Sequence, residues 1–105
     1  MQFTSYLQNS HLTIALTGEI DHHSAKQYMD AITGKIEAFG PVTCVLDFQD
    51  VTFMDSSGIA VVINALRQMK RLGGVLQVTG LMPQPLKVFL AAGMNKLVEI
   101  KEKVL

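Results

Sequence analysis

The stretch VTCVLDFQDVTFMDSSGIAVVI, residues 42–63, passes from a strand-like run through a polar knot into a helix-like run. Its first seven residues, VTCVLDF (42–48), are almost continuously apolar and rich in β-branched side chains, which predicts a strand buried on both faces. Gln49 and Asp50 break the run, so the strand is expected to end near Phe48 and a short loop to follow. From residue 56 the apolar spacing becomes helical. With Ile59 at zero on a wheel of about 100° per residue, Val62, Ile63, Leu66 and Met69 share one face. A helix is predicted over 56–71, ended by Gly73-Gly74, with Asp55 as its N-cap and Ser56 and Ser57 in its first turn.

On the amino side, residues 3–8 and 12–17 alternate in polarity around Asn9-Ser10, as a β-hairpin does. DHHSAKQYMDAITGKIEAF (21–39) carries Ala25, Tyr28, Met29, Ile32, Ile36 and Phe39 at helical spacing, with Asp21 or Ser24 as the cap and Gly40-Pro41 as the stop. On the carboxyl side, VLQVTG (75–80) reads as a strand. Pro83 and Pro85 suit the opening of a helix over 84–92, with Gly93 closing it, and KLVEI (96–100) suits a last strand. A hairpin followed by alternating helices and strands predicts an α/β fold, a mixed sheet with helices packed on it.

At 105 residues the chain has the length of a single domain, 1–105, and 49% hydrophobic residues supply its core. Nine basic residues balance nine acidic ones, so no net field recruits nucleic acid or an anionic membrane. Cys44 is the only cysteine, which excludes a disulfide framework and a cysteine-rich zinc site. The opening MQFTSYLQNS is not a signal peptide, and no apolar run approaches the ~18–20 residues of a membrane helix. A cytoplasmic domain is expected.

The knot at 55–58 and the polar residues elsewhere in the chain invite several chemical readings. On the wheel Ala60, Val61, Asn64, Arg67, Gln68 and Arg71 point away from the core. That face is small and apolar beside the serines and polar or basic further along, and it reads either as a partner surface or as ordinary exposed apolar residues. A nucleophilic serine would need G-x-S-x-G directly after a strand. Met54-Asp55-Ser56-Ser57-Gly58 supplies only the trailing glycine, a loop is expected before it, and His11, His22 and His23 all lie on the hairpin and its exit. Asp21-His22-His23 lacks the spacing of a metal site and reads as a capping aspartate with two solvated histidines. Gly34-Lys35 lacks the rest of a phosphate-binding loop, so the chain is not expected to use ATP itself, and no cofactor is expected.

LTGEIDHHSA (16–25), VLDFQDVTFMDSSGI (45–59) and RLGG (71–74) together resemble a STAS domain. More narrowly, the chain is similar to the sporulation anti-anti-sigma factors of endospore-forming bacteria, over about residues 10–100. The resemblance implies a STAS fold, a mixed four- to five-stranded sheet packed by about four helices. It also implies partner switching: the unmodified protein binds an anti-sigma factor that is a serine kinase, and a sigma factor is released. The kinase then phosphorylates the first serine of the D-S-S-G motif, and a serine phosphatase resets it. Carried over, Ser56 is the phosphoacceptor, Asp55, Ser57 and Gly58 shape the loop that enters the kinase, and Asp21 is an acidic contact. Ala60, Val61 and Asn64 extend that partner surface. Relatives usually continue into a further helix, whereas this chain ends at Leu105 soon after KLVEI. Two other readings are a STAS subunit of a stress-signalling or lipid-transport assembly with an unmodified serine, and a small serine hydrolase.

Overall fold

Asn9 and Ser10 both take positive φ, 52° and 65°, the sign that a type I′ hairpin turn demands at its two central positions. They join β1 (Gln2–Gln8) to β2 (His11–Ile20) in register from Gln8↔His11 to Gln2↔Thr17. The computed structural model describes residues 2–102, so the end at Leu105 lies outside the described residues. After the hairpin come α1 (Ala25–Phe39), β3 (Thr43–Met54), α2 (Ser56–Arg71), β4 (Val75–Thr79), α3 (Pro83–Ala91), a 3-10 turn (Met94–Lys96) and β5 (Glu99–Lys101). The strands lie in chain order, antiparallel only between β1 and β2. Each parallel crossover therefore steps one strand in the same direction, and right-handed crossovers of that kind put every helix on one face.

That face holds the core. Leu12, Ile14 and Leu16 of β2, Cys44, Leu46 and Phe48 of β3, and Leu76 and Val78 of β4 alternate inward at the period of a strand. Tyr28, Ile32 and Ile36 of α1, Val62 and Met69 of α2 and Phe89 of α3 close over them. Among the described residues no helix covers the opposite sheet face, and Thr43, Val45 and Asp47 are only half-buried. The apolar run 42–48 thus belongs to a strand buried on one face, not two. Phe39 also departs from its expected core position: it is the last residue of α1 and is 49% exposed. Three α-helices stand among the described residues where about four were expected, and of KLVEI only Glu99 and Ile100 join β5, while Lys96 ends the 3-10 turn before it.

β3 departs most from expectation. It pairs with β4 only from Thr43↔Val75 to Asp47↔Thr79, after which Gly80, at φ +72°, turns the chain aside. β3 nevertheless runs on to Met54, paired with β2 alone. It advances three residues, Asp47 to Asp50, while β2 advances two, Ala15 to Thr17. It advances two more, Val51 to Phe53, while β2 advances one. These bulges make Phe48, Val51 and Met54 the inward residues of this stretch, a spacing of three that hides a strand. No loop separates β3 from the cap of α2.

Candidate functional site

β3 delivers Asp55 in an extended conformation directly to the amino end of α2. Its carboxylate Oδ1 accepts the Ser57 N–H at 2.7 Å, and its carbonyl accepts the Gly58 N–H at 2.9 Å. Asp55 is therefore the N-cap expected from the sequence, and Ser56 becomes the first helical residue. Ser56 is exposed and Ser57 half-buried, the reverse of what the wheel gives when extended back from Ile59.

The cap is fixed from the β2 side as well. Ile20 lies opposite Met54, and its carbonyl accepts the Asp55 N–H at 3.2 Å. Asp21 consequently sits beside the cap, half-exposed. Its Oδ1 accepts the His23 and Ser24 N–H groups at 2.9 and 3.0 Å and the Ser24 hydroxyl at 3.1 Å. Asp21 thus closes the turn before α1; Ser24 stands at the cap position but makes no side-chain cap bond. The Ser24 N–H bond is the chief cause that holds the Asp21 carboxyl below its ordinary 3.8, against a smaller cost of lost hydration. Glu19 is exposed opposite Phe53, so the ends of β2 and β3 that lead to the cap carry three acidic residues, Glu19, Asp21 and Asp55.

Two residues expected on the partner-facing side turn inward. Val61 is only 1% exposed, because α2 buries a second stripe against α1 as well as the one it buries on the sheet. On that stripe the Asn64 Nδ2 donates to Thr33 Oγ1 at 3.2 Å and the Gln68 Nε2 donates to the Thr33 carbonyl at 3.1 Å. Asn64 is half-buried there, and Ala60 remains exposed. Gly58 is buried too. A Cβ on it would overlap the Cγ of Met54 and lie 3.5 Å from the Ile20 Cγ2. Its missing side chain makes room for Met54, not for a partner's backbone.

A residue that the sequence reading passed over holds the other side of the cap. Gln84, in the first turn of α3, accepts the Met54 N–H on its Oε1 at 2.8 Å and donates from Nε2 to the Met54 carbonyl at 2.9 Å. Its one signal in the sequence is its place between Pro83 and Pro85.

The expected loop before the serines is absent, so β3 and α2 do form the strand–turn–helix that a nucleophile elbow uses. No histidine hydrogen-bonds either serine among the described residues; the His22 and His23 rings instead meet edge to face, 5.1 Å apart. Among the described residues no group of three His, Cys, Asp or Glu is placed to hold a metal. Two open grooves of about 440 and 230 Å³ lie on the uncovered sheet face; the larger is lined by His11, and neither is lined by Asp21, Asp55, Ser56 or Ser57. No helix of the described residues is long and apolar enough to cross a membrane.

Comparison with known proteins bears on this arrangement. A family model described as the STAS domain matches residues 2–104. The anti-sigma F factor antagonist of Lysinibacillus sphaericus is 30% identical over 84 residues, which cover 80% of this chain and 72% of that protein. The solved structure of the anti-sigma factor antagonist SpoIIAA in its unphosphorylated form superposes with a TM-score of 0.82 at 26% identity, over 98% of this chain and 89% of that one. The Bacillus cell fate determinant SpoIIAA in the phosphorylated form superposes with a TM-score of 0.74 at 26% identity, over 98% and 92%.

Proposed function

Because the chain belongs to the STAS domain family, we propose that it is an anti-sigma factor antagonist switched by phosphorylation at Ser56. In this reading a single domain, residues 1–105, acts in the cytoplasm. Unmodified, it binds an anti-sigma factor that is also a serine kinase, and a sigma factor is set free. The nucleotide belongs to that partner. Phosphorylation of Ser56 ends the binding, and a serine phosphatase restores it.

The observation that carries this reading is the exposed Ser56 at the head of α2, directly after the N-cap Asp55, whose carboxylate is held by the Ser57 N–H. An exposed serine on a rigid helix start can enter a kinase site without local unfolding, and the neighbouring Ser57 is less accessible. Phosphorylated and unphosphorylated forms of a structural relative support the same reading. Asp21, Asp55 and Ala60 form the partner surface here, with Ser57 and Gly58 shaping the turn. Val61 and Asn64 support α2 from below.

The test is incubation with the anti-sigma kinase and ATP, followed by mapping of the phosphate by mass spectrometry. Ser56→Ala abolishes incorporation and leaves kinase binding largely intact, while Ser57→Ala slows it at most. Loss of the phosphate in Ser57→Ala alone overturns the assignment.

A further inference from the structure

β4 pairs with β3 only from Thr43 to Asp47, and further along that edge, at Met54, the side chain of Gln84 takes a strand's place. A primary amide offers one donor and one acceptor in a plane, so Gln84 gives Met54 both bonds that a neighbouring strand would give. The two prolines around it fix φ at ~−65°, so the amide projects from a backbone with little local freedom. Pro85 and Phe89, both buried, anchor α3 to the core. On the opposite side Ile20 holds the Asp55 N–H. Residues 54 and 55 are thus gripped from two strand edges, immediately before Ser56.

We propose that Gln84 is a positioning residue for Ser56: its clamp on the Met54 backbone presents the hydroxyl in one geometry and so sets the rate of its phosphorylation. The role rests on the reading of Ser56 as phosphoacceptor. In the step concerned, the Ser56 Oγ forms a bond to the γ-phosphorus of the kinase's ATP and the bond to the ADP oxygen breaks. The hydroxyl proton passes to a base of the kinase. Such a transfer depends on alignment, and small misplacements of a reacting atom cost rate steeply. Without the clamp, the end of β3 is held by β2 alone and Ser56 samples several positions.

Gln84→Leu keeps the bulk and removes both hydrogen bonds, and Gln84→Ala removes the side chain as a second check. Steady-state phosphorylation by the cognate anti-sigma kinase is expected to lose roughly tenfold or more in kcat, with KM within about threefold of wild type. Amide hydrogen exchange at Met54 is expected to quicken by at least about tenfold, while the middle strands stay protected. Unchanged kcat in both variants overturns the role, as does a change confined to KM. Wild-type protection of Met54 in both variants overturns the clamp itself. A wild-type protein that takes no phosphate overturns the reading of Ser56 and this role with it, while the exchange measurement still reports on the clamp.

Discussion

Gly58→Ala is expected to destabilise this protein, although the same change in an ordinary helix stabilises by ~1 kcal/mol. The reason lies 4 residues upstream in the chain: the added Cβ overlaps the Cγ of Met54, a fully buried side chain with no exposed end to swing away. Overpacking of a closed core costs ~1–3 kcal/mol. The net loss for alanine is therefore ~0–2 kcal/mol, and for valine, with two more methyl groups, about 3 kcal/mol. Removing the obstacle reverses the sign. Met54→Ala alone costs ~2–5 kcal/mol as a cavity, but in that background Gly58→Ala meets open space and recovers its ~1 kcal/mol of helix propensity. Urea unfolding of the two single variants and the double variant gives the coupling, expected near 2 kcal/mol and well above the ~0.5 kcal/mol scatter of independent sites. An equal cost of Gly58→Ala in both backgrounds refutes the overlap with Met54. A Gly58→Val protein that folds like wild type yet fails to bind the anti-sigma factor refutes the inward role altogether.

Ser56→Asp keeps its circular dichroism spectrum and loses at least about tenfold in affinity for the anti-sigma factor by calorimetry, a change of ~1.4 kcal/mol; a melted variant, or unchanged affinity, refutes it. Burial pushes the Cys44 thiol up to about 12, so iodoacetamide at pH 8 labels the unfolded chain and spares the native one, and rapid stoichiometric labelling of native protein refutes its place in the core. The Asp21 carboxyl, lowered from 3.8 chiefly by the Ser24 N–H, titrates by NMR with a midpoint below that value. Because the folded value is depressed, its contribution to stability is present above pH 3.8 and is lost as the pH falls through the folded midpoint. Ser24→Ala moves the midpoint only part of the way back, since the backbone bond remains, and an unmoved midpoint refutes any share for the hydroxyl.

What could be read from the sequence was local. The helix at 56–71 came out with its observed ends because its start is marked by a capping aspartate and its stop by paired glycines, both of which act within a turn. The hairpin was legible for the same reason, through Asn9-Ser10. The end of β3 was not: two bulges replace a period of two with a spacing of three, and no glycine or proline marks the place. Val61 misled because a wheel assumes one packing partner and α2 has two. The Gln84 clamp spans 30 residues of sequence and joins a side chain to a backbone, so no pattern of residue types announces it. The serines are thus marked by local sequence, whereas the contacts that hold them exist only in the folded chain.

How Ser56 is held bears on where a phosphate would act. A phosphoserine adds roughly −1.5 to −2 charges at neutral pH. At the first residue of α2 it meets the positive end of the helix dipole, a gain of ~0.3–1 kcal/mol. Asp55 opposes it by about 1 kcal/mol per unit charge at ~5 Å in near-water dielectric. Those effects are comparable and small, and they fall on a turn already fixed by Ile20, Gln84 and the Asp55 carboxylate, so the modified serine has little leverage on the fold. At a desolvated interface the balance differs. A hydroxyl needs one neutral neighbour there, whereas a dianion beside Asp55 and Asp21 needs several donors that a surface shaped for the hydroxyl does not provide. An unmatched charge at such a place costs several kcal/mol, enough for more than a hundredfold in affinity. The rigidity of the cap is what sends that whole penalty into the interface: a floppy loop would move the phosphate into water and keep the partner.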